Sequence, residues 1–363
     1  MHALISKIST FVFLIFFIAL GITLPLEVIF GNWIFGPNFS TMNIPRNSYR
    51  HFDASHLYPG GGVLKYYRDK YGLRGDYGDP SDIDLLTMGG STTAQLYVDD
   101  KDSWPEVIDA KFAEAGFPIS VANAGINGQT SLGHILAFDL WFPLIPNLKP
   151  KYLLAYVGIN DKRLKASYRY DEMKSPEMSR RIRQYFMNNS ALYRLYRLVR
   201  GTLNARDAQL LHGAGPTFEA RIDWRKISPQ PDLKDTRLRI NDDLLGYADR
   251  IRILAETIRS HGAKPIFVSQ TLSSYRVRDG IVYGRLQPDG TIEYHDYAVM
   301  TLYNQTLMAT CAKYQITCFD LGSELKFEDG DFYDRAHNTP AGSRRVGEYI
   351  FERLKPIIMP KKQ

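Results

Sequence analysis

Short apolar runs alternate with amphipathic segments along most of the chain after residue 81. Five apolar runs predict strands, at residues 82–88, 119–122, 152–157, 265–269 and 316–320. The segments between and after them predict helices, over about residues 104–115, 132–145, 242–260 and 299–313, with a last helix that begins at Thr339-Pro340. Strands that alternate with helices form a parallel sheet covered on both faces. We therefore predict an α/β fold, a three-layer α/β/α sandwich around a central parallel sheet of about five strands.

The first 30 residues have a different pattern. Residues 8–26 contain no charged side chain and consist mainly of Ile, Leu, Val and Phe. As a helix this run is about 28 Å long, roughly the thickness of a bilayer core. Lys7 and the amino terminus precede it, so the short tail is expected in the cytoplasm and the rest of the chain outside. We predict a transmembrane anchor over residues 1–30, with a signal peptide cleaved near Ala19-Leu20-Gly21 as the alternative.

The remaining chain divides by composition. Residues 31–80 are rich in Gly, Pro, Tyr and Asn and predict a connecting segment on the surface. Residues 81–358 form the predicted catalytic domain, with insertions at about 165–240 and 275–296. The first insertion holds a basic amphipathic stretch, Arg180 to Arg200, which indicates a solvated helix, a cap beside the site, or a helix on anionic lipid. Turn signals at 279–280 and 288–290 predict a hairpin in the second.

Composition excludes several classes of function. The 363 residues are 44% hydrophobic and 23% charged, as in ordinary globular proteins. A formal net charge of +6 is only mildly basic, and the sequence has no recognition-helix or RNA-binding aromatic motif, so we expect no nucleic-acid partner. No phosphate-binding loop, dinucleotide motif or metal-ligand histidine spacing occurs, so neither a cofactor nor a metal is predicted. Cys311 and Cys318 form either a disulfide, which suits an exported chain, or two buried thiols.

Four short blocks hold the candidate chemistry: residues 89–93 (Gly-Gly-Ser-Thr-Thr), 123–128 (Asn-Ala-Gly-Ile-Asn-Gly), 158–161 (Gly-Ile-Asn-Asp) and 334–337 (Asp-Arg-Ala-His). The first three follow predicted strands, where the active groups of a parallel sheet collect. A serine hydroxyl needs an adjacent base to become a nucleophile, and a carboxylate orients a histidine base. We therefore predict Ser91 as nucleophile, His337 as base and Asp334 as its partner. The backbone N–H groups of Ser91 and Gly128 and the Asn160 amide would bind the oxyanion.

Other residues compete for some of these roles. Asp53 and His56 have the same Asp-x-x-His spacing but precede the predicted sheet. Asp331 is a nearby alternative to Asp334. His295-Asp296, on the predicted hairpin, either reaches a substrate or is a surface pair.

These blocks resemble the SGNH (GDSL-type) hydrolase family, over about residues 82–355 without the insertions. Residues 123–131 and Ser103-Trp104-Pro105 are similar to periplasmic acyl-thioesterase/lysophospholipase members. The resemblance implies a flavodoxin-like fold and the same roles for Ser91, Gly128, Asn160, Asp334 and His337. One position departs from the family pattern, because the usual Gly-Asp-Ser is Gly-Gly-Ser here. The Gly-Gly-Ser-Thr form is similar to membrane-tethered members associated with cell-surface polysaccharides, some of which are acyltransferases.

The sequence thus predicts a membrane-anchored serine esterase that removes an acyl group, acetyl above all, from a cell-surface glycan. Its catalytic domain would lie on the periplasmic side of a bacterial inner membrane. One alternative is an O-acyltransferase to polysaccharide, served by a membrane-bound acyl donor partner. Others are a lysophospholipase or thioesterase acting on a lipid substrate, and a non-catalytic glycan-binding scaffold.

Overall fold

The computed structural model describes residues 2–34, 44–164, 178–207 and 221–359. Its helices are α1 (His2–Phe30), α2 (Ser91–Ala94), α3 (Trp104–Glu114), α4 (Ser131–Leu140), α5 (Met178–Asn189), α6 (Ala191–Asp207), α7 (Leu233–Ser260), α8 (Tyr297–Lys313), α9 (Leu321–Glu324) and α10 (Pro340–Ile358). Its strands are β1 (Ser48–Asp53), β2 (Val63–Arg68), β3 (Leu85–Gly89), β4 (Val121–Asn123), β5 (Tyr152–Tyr156), β6 (Trp224–Lys226), β7 (Lys264–Val268), β8 (Tyr275–Arg278), β9 (Ile281–Leu286), β10 (Ile292–Glu293) and β11 (Thr317–Phe319).

The predicted central sheet is confirmed. Five parallel strands lie in the order β11-β7-β5-β3-β4. The first of these strands along the chain, β3, starts at Leu85, three residues after the predicted start at 82. The reason is that Pro80–Asp82 forms a 3₁₀ turn capped by the Asp79 side chain. The helix predicted over 242–260 begins earlier, at Leu233, where Asp232 accepts a hydrogen bond from the Lys234 N–H at 2.8 Å.

Helices cover both faces of this sheet. Every residue of β3 is buried, which a strand with one solvated face does not show. On one face, alternate strand residues pack against α3 and α10, whose Phe112 and Phe351 rings meet edge to face at 4.9 Å. On the other face lie α4, α7 and α8, of which α7 packs against both of the others. The structure is therefore the predicted three-layer sandwich, and the turns after β3, β4 and β5 lie at one edge of the sheet.

The segment before the sheet is more structured than its composition predicts. The antiparallel hairpin of β1 and β2 lies within the predicted connecting segment 31–80, of which residues 35–43 are outside the described part. Arg68 and Arg74 are buried, and they donate hydrogen bonds to the carbonyl oxygens of Gly125 and Ala94. These guanidinium groups satisfy backbone carbonyls in the second block and in α2, so the predicted surface segment is buried at these two positions, although most of β1 is exposed or half-buried.

A small antiparallel sheet holds the second insertion. Strands β8 and β9 form the predicted hairpin, and β10 and β6 pair with the two edges of β9. Of the first predicted insertion, residues 165–177 and 208–220 lie outside the described residues. Cys311 and Cys318 form a disulfide between α8 and β11, so the first of the two sequence-based alternatives holds.

The chain divides into two compact units, residues 1–44 with 173–208 and residues 45–172 with 209–363. The first unit contains α1, α5 and α6. Within it the Glu27 carboxylate accepts hydrogen bonds from the N–H groups of Ala191 and Leu192 at 2.9 and 3.0 Å, at the start of α6. A carboxylate at a helix amino terminus satisfies unpaired N–H groups and the helix dipole.

The predicted membrane anchor is not confirmed. Residues 8–26 lie within α1, for which the structure describes the side chains of residues 13–14 and 17–30. Across the described part of the chain, no helix has the length and apolar character that crossing a bilayer requires.

Candidate active site

The predicted serine, histidine and aspartate meet in one hydrogen-bonded chain. Ser91 is the first residue of α2, directly beyond the end of β3. Its Oγ lies 2.7 Å from His337 Nε2, although the two residues are 246 positions apart. On the other side of the imidazole ring, His337 Nδ1 lies 2.7 Å from Asp334 Oδ2. This is the order of groups that removes a proton from a serine hydroxyl.

Asp334 is held in its ionised form by its surroundings. Its side chain is buried, and burial by itself raises a carboxyl pKa. The charge and hydrogen bonds of His337 and the N–H groups of Ala336 and His337, at 2.9 and 2.8 Å, outweigh burial, so the pKa of Asp334 is lowered. The carboxylate is therefore fixed by its own turn and can accept from His337 Nδ1.

The competing residues lie in other settings. Asp331 accepts the Glu328 N–H and pairs with Arg345 at 3.0 Å, so it supports the turn and does not contact the imidazole. Asp53 accepts the N–H of Ser55 in its own loop. In the pair His295-Asp296, the histidine is exposed at the surface, whereas Asp296 is only 12% exposed and accepts a hydrogen bond from Lys162 Nζ at 2.7 Å.

Asn160 and Gly128 lie on the turns that follow β5 and β4. Asn160 Nδ2 donates one hydrogen bond to the Gln129 carbonyl oxygen at 2.9 Å, which leaves its second hydrogen for a substrate oxygen. Gly128 has φ +72°, a conformation that glycine adopts readily, and an added Cβ there would meet no atom within 4 Å. Among the described residues, the backbone N–H groups of Ser91 and Gly128 donate to no other protein group.

Gly90, the position that departs from the Gly-Asp-Ser pattern, has a steric explanation. A Cβ at residue 90 would lie 2.3 Å from Asn160 Nδ2. That distance is far below van der Waals contact, so a side chain here would require the Asn160 amide, at the end of its own side chain, to shift. The glycine thus makes room for the predicted oxyanion donor.

The sequence also matches a known family. The model of the GDSL-like Lipase/Acylhydrolase family matches residues 87–345, a range that contains all five predicted site residues. The chain belongs to this family. The predicted resemblance to SGNH (GDSL-type) hydrolases is therefore confirmed at the level of the family.

Two similar proteins share little of their sequence with this chain. Esterase TesA of Pseudomonas aeruginosa is 31% identical over 77 residues, which cover 21% of this chain and 37% of that relative's length. A crystal structure of TesA aligns with 76% of this chain and 99% of its own, at 17% identity and a TM-score of 0.38. A mutant of Axe2, an acetyl-xylooligosaccharide esterase from Geobacillus Stearmophilus, aligns with 76% and 94%, at 12% identity and a TM-score of 0.40.

Side chains outside the four blocks hold these turns together. Gln270, just beyond β7, accepts the Ile159 N–H at 2.8 Å and donates to Thr92 Oγ1 at 2.8 Å. It thereby joins the asparagine turn to the serine turn. Trp104 Nε1 donates to the Thr92 carbonyl oxygen at 3.1 Å, which accounts for the Trp-Pro that follows the serine block. Gln270 has no local sequence signal, since its partners are far away along the chain.

A buried ionic network joins the glycine and asparagine turns. Asp161 accepts hydrogen bonds from Ser131 N, at 3.2 Å, and Ser131 Oγ, and Arg250 Nε donates to that Oγ at 2.8 Å. Burial raises the pKa of Asp161, although Arg250 and Ser131 oppose that effect. Asp161 stands in the third block, but nothing in the sequence identifies Arg250, on α7, as its partner.

The site has no arrangement for a metal. Among the residues that the structure describes, no three His, Cys, Asp or Glu side chains are grouped so that they could hold a metal ion. The chemistry available here is that of a nucleophile, a base and hydrogen-bond donors.

Proposed function

We propose that this protein is a serine esterase that hydrolyses an acyl ester through an acyl-enzyme on Ser91. The observation that supports this most strongly is the hydrogen-bonded chain from Ser91 Oγ through His337 to Asp334, with 2.7 Å at both junctions. Membership of the GDSL-like Lipase/Acylhydrolase family agrees with an ester substrate.

Acylation begins when Ser91 Oγ attacks the ester carbonyl carbon and His337 Nε2 accepts the serine proton. The carbonyl oxygen becomes an oxyanion that can accept from Ser91 N–H, Gly128 N–H and Asn160 Nδ2, each worth about 3 kcal/mol of barrier. The tetrahedral intermediate then collapses. The bond to the alcohol breaks, and His337 gives its proton to the leaving oxygen.

Deacylation repeats these steps with water. His337 Nε2 takes a proton from a water molecule as that water attacks the acyl carbon, and the same donors hold the second oxyanion. Collapse releases the carboxylic acid and returns the proton to Ser91 Oγ. Asp334 stays ionised throughout and stabilises the imidazolium that forms twice in each cycle.

Hydrolysis of 4-nitrophenyl acetate tests the proposal. Wild-type protein should release 4-nitrophenol with saturation kinetics, and both Ser91→Ala and His337→Ala should reduce kcat by at least about a thousandfold. Asp53→Ala, which removes a carboxylate of the other Asp-x-x-His motif, is the matched control and should retain activity. Equal rates for the wild type and Ser91→Ala would refute a serine esterase.

We further propose an O-acetyl group on a cell-surface glycan as the substrate. The support is the Gly-Gly-Ser-Thr form of the first block, which resembles polysaccharide-associated members of the family. A series of 4-nitrophenyl esters should show the highest kcat/KM for acetate, and a preference for long chains would favour a lysophospholipase or thioesterase. Adding a glycan acceptor separates esterase from O-acyltransferase, because transfer to sugar consumes the ester without equivalent release of acetate.

We propose that the catalytic unit acts outside the cytoplasm. The Cys311–Cys318 disulfide supports this location, since disulfides persist mainly in oxidising compartments. Alkaline phosphatase fused to the carboxyl end should be active in a bacterial host. An inactive fusion that is stably produced would contradict an exported domain.

We also propose that the first compact unit contacts a membrane surface. Helices α5 and α6 expose three arginines together with large apolar side chains. The arginines are Arg183, Arg197 and Arg200, and the apolar residues are Ile182, Phe186, Leu195, Leu198, Val199 and Leu203. Helices of this composition bind anionic lipid. The protein should float with vesicles that contain phosphatidylglycerol, and Arg→Gln at all three arginines should weaken this. Flotation that is unaffected by the substitutions would contradict the surface contact.

A further inference from the structure

One aspartate joins two turns of the candidate active site. Asp296 lies between β10 and α8, at the end of the second insertion. Its Oδ1 accepts a hydrogen bond from Lys162 Nζ at 2.7 Å, and its Oδ2 accepts one from Arg335. Lys162 follows the proposed oxyanion donor Asn160 by two residues, and Arg335 precedes the proposed base His337 by two. The two oxygens of one carboxylate therefore hold the asparagine turn and the histidine turn.

The Asp296 side chain does not serve its own helix. Asp296 is the N-cap residue of α8, where an aspartate usually accepts N–H groups of the first helical turn. Within the described residues, its side chain makes no such bond to α8. Both carboxylate oxygens bond cations that other elements carry, which is more than helix capping explains.

The three charged groups are largely removed from solvent. The side chains of Asp296, Lys162 and Arg335 are 12%, 15% and 23% exposed. Burial by itself raises the pKa of Asp296, but Lys162 and Arg335 outweigh it and lower the pKa, so the carboxylate is ionised. If this charge were removed, two cations with little access to water would lie on either side of a neutral group and repel each other.

Apolar contacts pack the same two turns against α8. Ile159 and Ala336, each directly before a proposed site residue, belong to one buried cluster with Met300 of α8. The Met300 N–H donates to the backbone carbonyl of Asp296 at 2.9 Å, in the first turn of this helix. The carboxylate thus stands on the helix against which both turns pack.

We propose that Asp296 is a positioning residue, which acts through Lys162 and Arg335 to fix the separation of the asparagine turn and the histidine turn. This inference depends on the proposed esterase function, in which Asn160 and His337 serve the same carbonyl group. The donor binds the carbonyl oxygen while the base takes the proton of the attacking serine. A displacement of about 1 Å between such groups can lower a rate about a hundredfold.

The kinetic test removes the charge of residue 296 and keeps its shape. Asp296→Asn leaves an N-cap residue of the same size, because asparagine and aspartate are equally suited to that position. It should lower kcat for 4-nitrophenyl acetate by about ten- to a hundredfold and leave KM within about twofold of the wild type. Asp296→Glu, which keeps the charge, should recover part of the lost kcat.

The matched control is Asp84→Asn. Asp84 accepts the Ser120 N–H at 3.0 Å and pairs with Lys151 at 2.7 Å, and each of these residues directly precedes a strand of the central sheet. They therefore lie at the opposite edge of the sheet. Asp84→Asn should leave kcat unchanged, including when urea unfolding shows a loss of stability equal to that of Asp296→Asn. Wild-type kcat in Asp296→Asn, or equal losses of kcat in the two variants, would overturn the inference.

Combined substitutions test whether the three side chains act as one connection. Lys162→Met and Arg335→Met should each lower kcat, because either one separates Asp296 from a turn. Adding Asp296→Asn to Arg335→Met should then lower kcat less than it does in the wild type. Fully additive losses would contradict a single connection. Arg335→Met carries the same test if Asp296→Asn does not fold.

Crystal structures of the variants read the positioning without turnover. The distance from Asn160 Nδ2 to His337 Nε2 should differ from the wild type by about 1 Å in Asp296→Asn and should be unchanged in Asp84→Asn. An unchanged distance in Asp296→Asn would contradict the role of Asp296. If the wild type does not hydrolyse 4-nitrophenyl acetate, the proposed esterase function fails, and this comparison still decides whether Asp296 fixes the two turns.

Discussion

At the scale of single residues, the Asp334 carboxylate is oriented by backbone N–H groups as well as by the His337 side chain. Its Oδ1 accepts the N–H groups of Ala336 and His337 at 2.9 and 2.8 Å, so the turn itself orients the carboxylate. Tyr333 stacks on the His337 ring, with centroids 5.7 Å apart, and covers one face of it. The imidazole is therefore held by a carboxylate at its edge and a ring on its face.

The first prediction concerns Asp334. Asp334→Asn should lower kcat for 4-nitrophenyl acetate by about 10³- to 10⁴-fold, because an amide can hold the imidazole in the wrong tautomer. Asp331→Asn is the matched control, since Asp331 pairs with Arg345 and not with His337. A loss of kcat in Asp331→Asn as large as that in Asp334→Asn would show that the acid has been misassigned.

The second prediction concerns Gly90. Its φ of −84° suits any residue, so the obstacle to a side chain is the 2.3 Å approach to Asn160 Nδ2. Gly90→Ala should displace that amide and reduce kcat roughly a hundredfold, as the loss of one oxyanion donor does. Gly62→Ala, where an added Cβ meets no atom within 4 Å, should leave kcat unchanged. Wild-type activity in Gly90→Ala would contradict this steric account of Gly90.

At the scale of elements, the turns after β3, β4 and β5, at one edge of the sheet, are joined by side chains from neighbouring elements. Gln270 joins the turns after β3 and β5, and Asp161, Ser131 and Arg250 join the turn after β5 to α4 and α7. Each joint is buried, so an unpaired group there would be costly. The relative positions of the proposed nucleophile and oxyanion donors depend on these joints.

The third prediction tests the ionic joint. Arg250→Met leaves the buried Asp161 carboxylate without its guanidinium neighbour and should lower the free energy of unfolding by about 3–5 kcal/mol. Arg252→Met, two residues along the same helix, removes a more exposed arginine that pairs with Asp249 and Glu256. It should cost less than about 1 kcal/mol. Urea unfolding measures both, and equal losses would contradict a special role for Arg250.

Sequence patterns predict these elements better than they predict the joints. The five sheet strands are visible as apolar runs because a strand buried on both faces is apolar throughout. The serine, glycine, asparagine and histidine turns are visible because their chemistry is local. The roles of Arg68, Arg250 and Gln270 cannot be predicted from the sequence, because a polar residue that bonds a distant backbone group or carboxylate has the same sequence pattern as a surface residue. The sequence shows that Gly90 departs from the Gly-Asp-Ser pattern of the family, but explaining this glycine requires the position of Asn160 in the structure.

At the scale of the whole molecule, one buried histidine makes stability depend on pH. His134, on α4, is buried, and burial lowers its pKa to about 3 from a usual 6.5. Its Nδ1 has no hydrogen-bond partner among the described residues. The unfolded chain therefore binds this proton more readily than the folded one. The resulting stability is present above pH 6.5 and is lost as the pH falls towards 3.

The fourth prediction follows from this loss of stability at low pH. Between those two pH values the wild type should lose about 1.4 kcal/mol per pH unit through His134, and His134→Leu should not. The measurement is the difference in unfolding free energy between the two proteins as a function of pH, which cancels the other titrating groups. Parallel curves for the wild type and His134→Leu would contradict the prediction.

The central claim is that one serine, activated by His337, carries the acyl group. Peptide mass mapping after reaction with a fluorophosphonate tests this claim most directly. A single adduct on Ser91, lost in His337→Ala, is the predicted result. An adduct on another residue, or full labelling of Ser91 in His337→Ala, would contradict it.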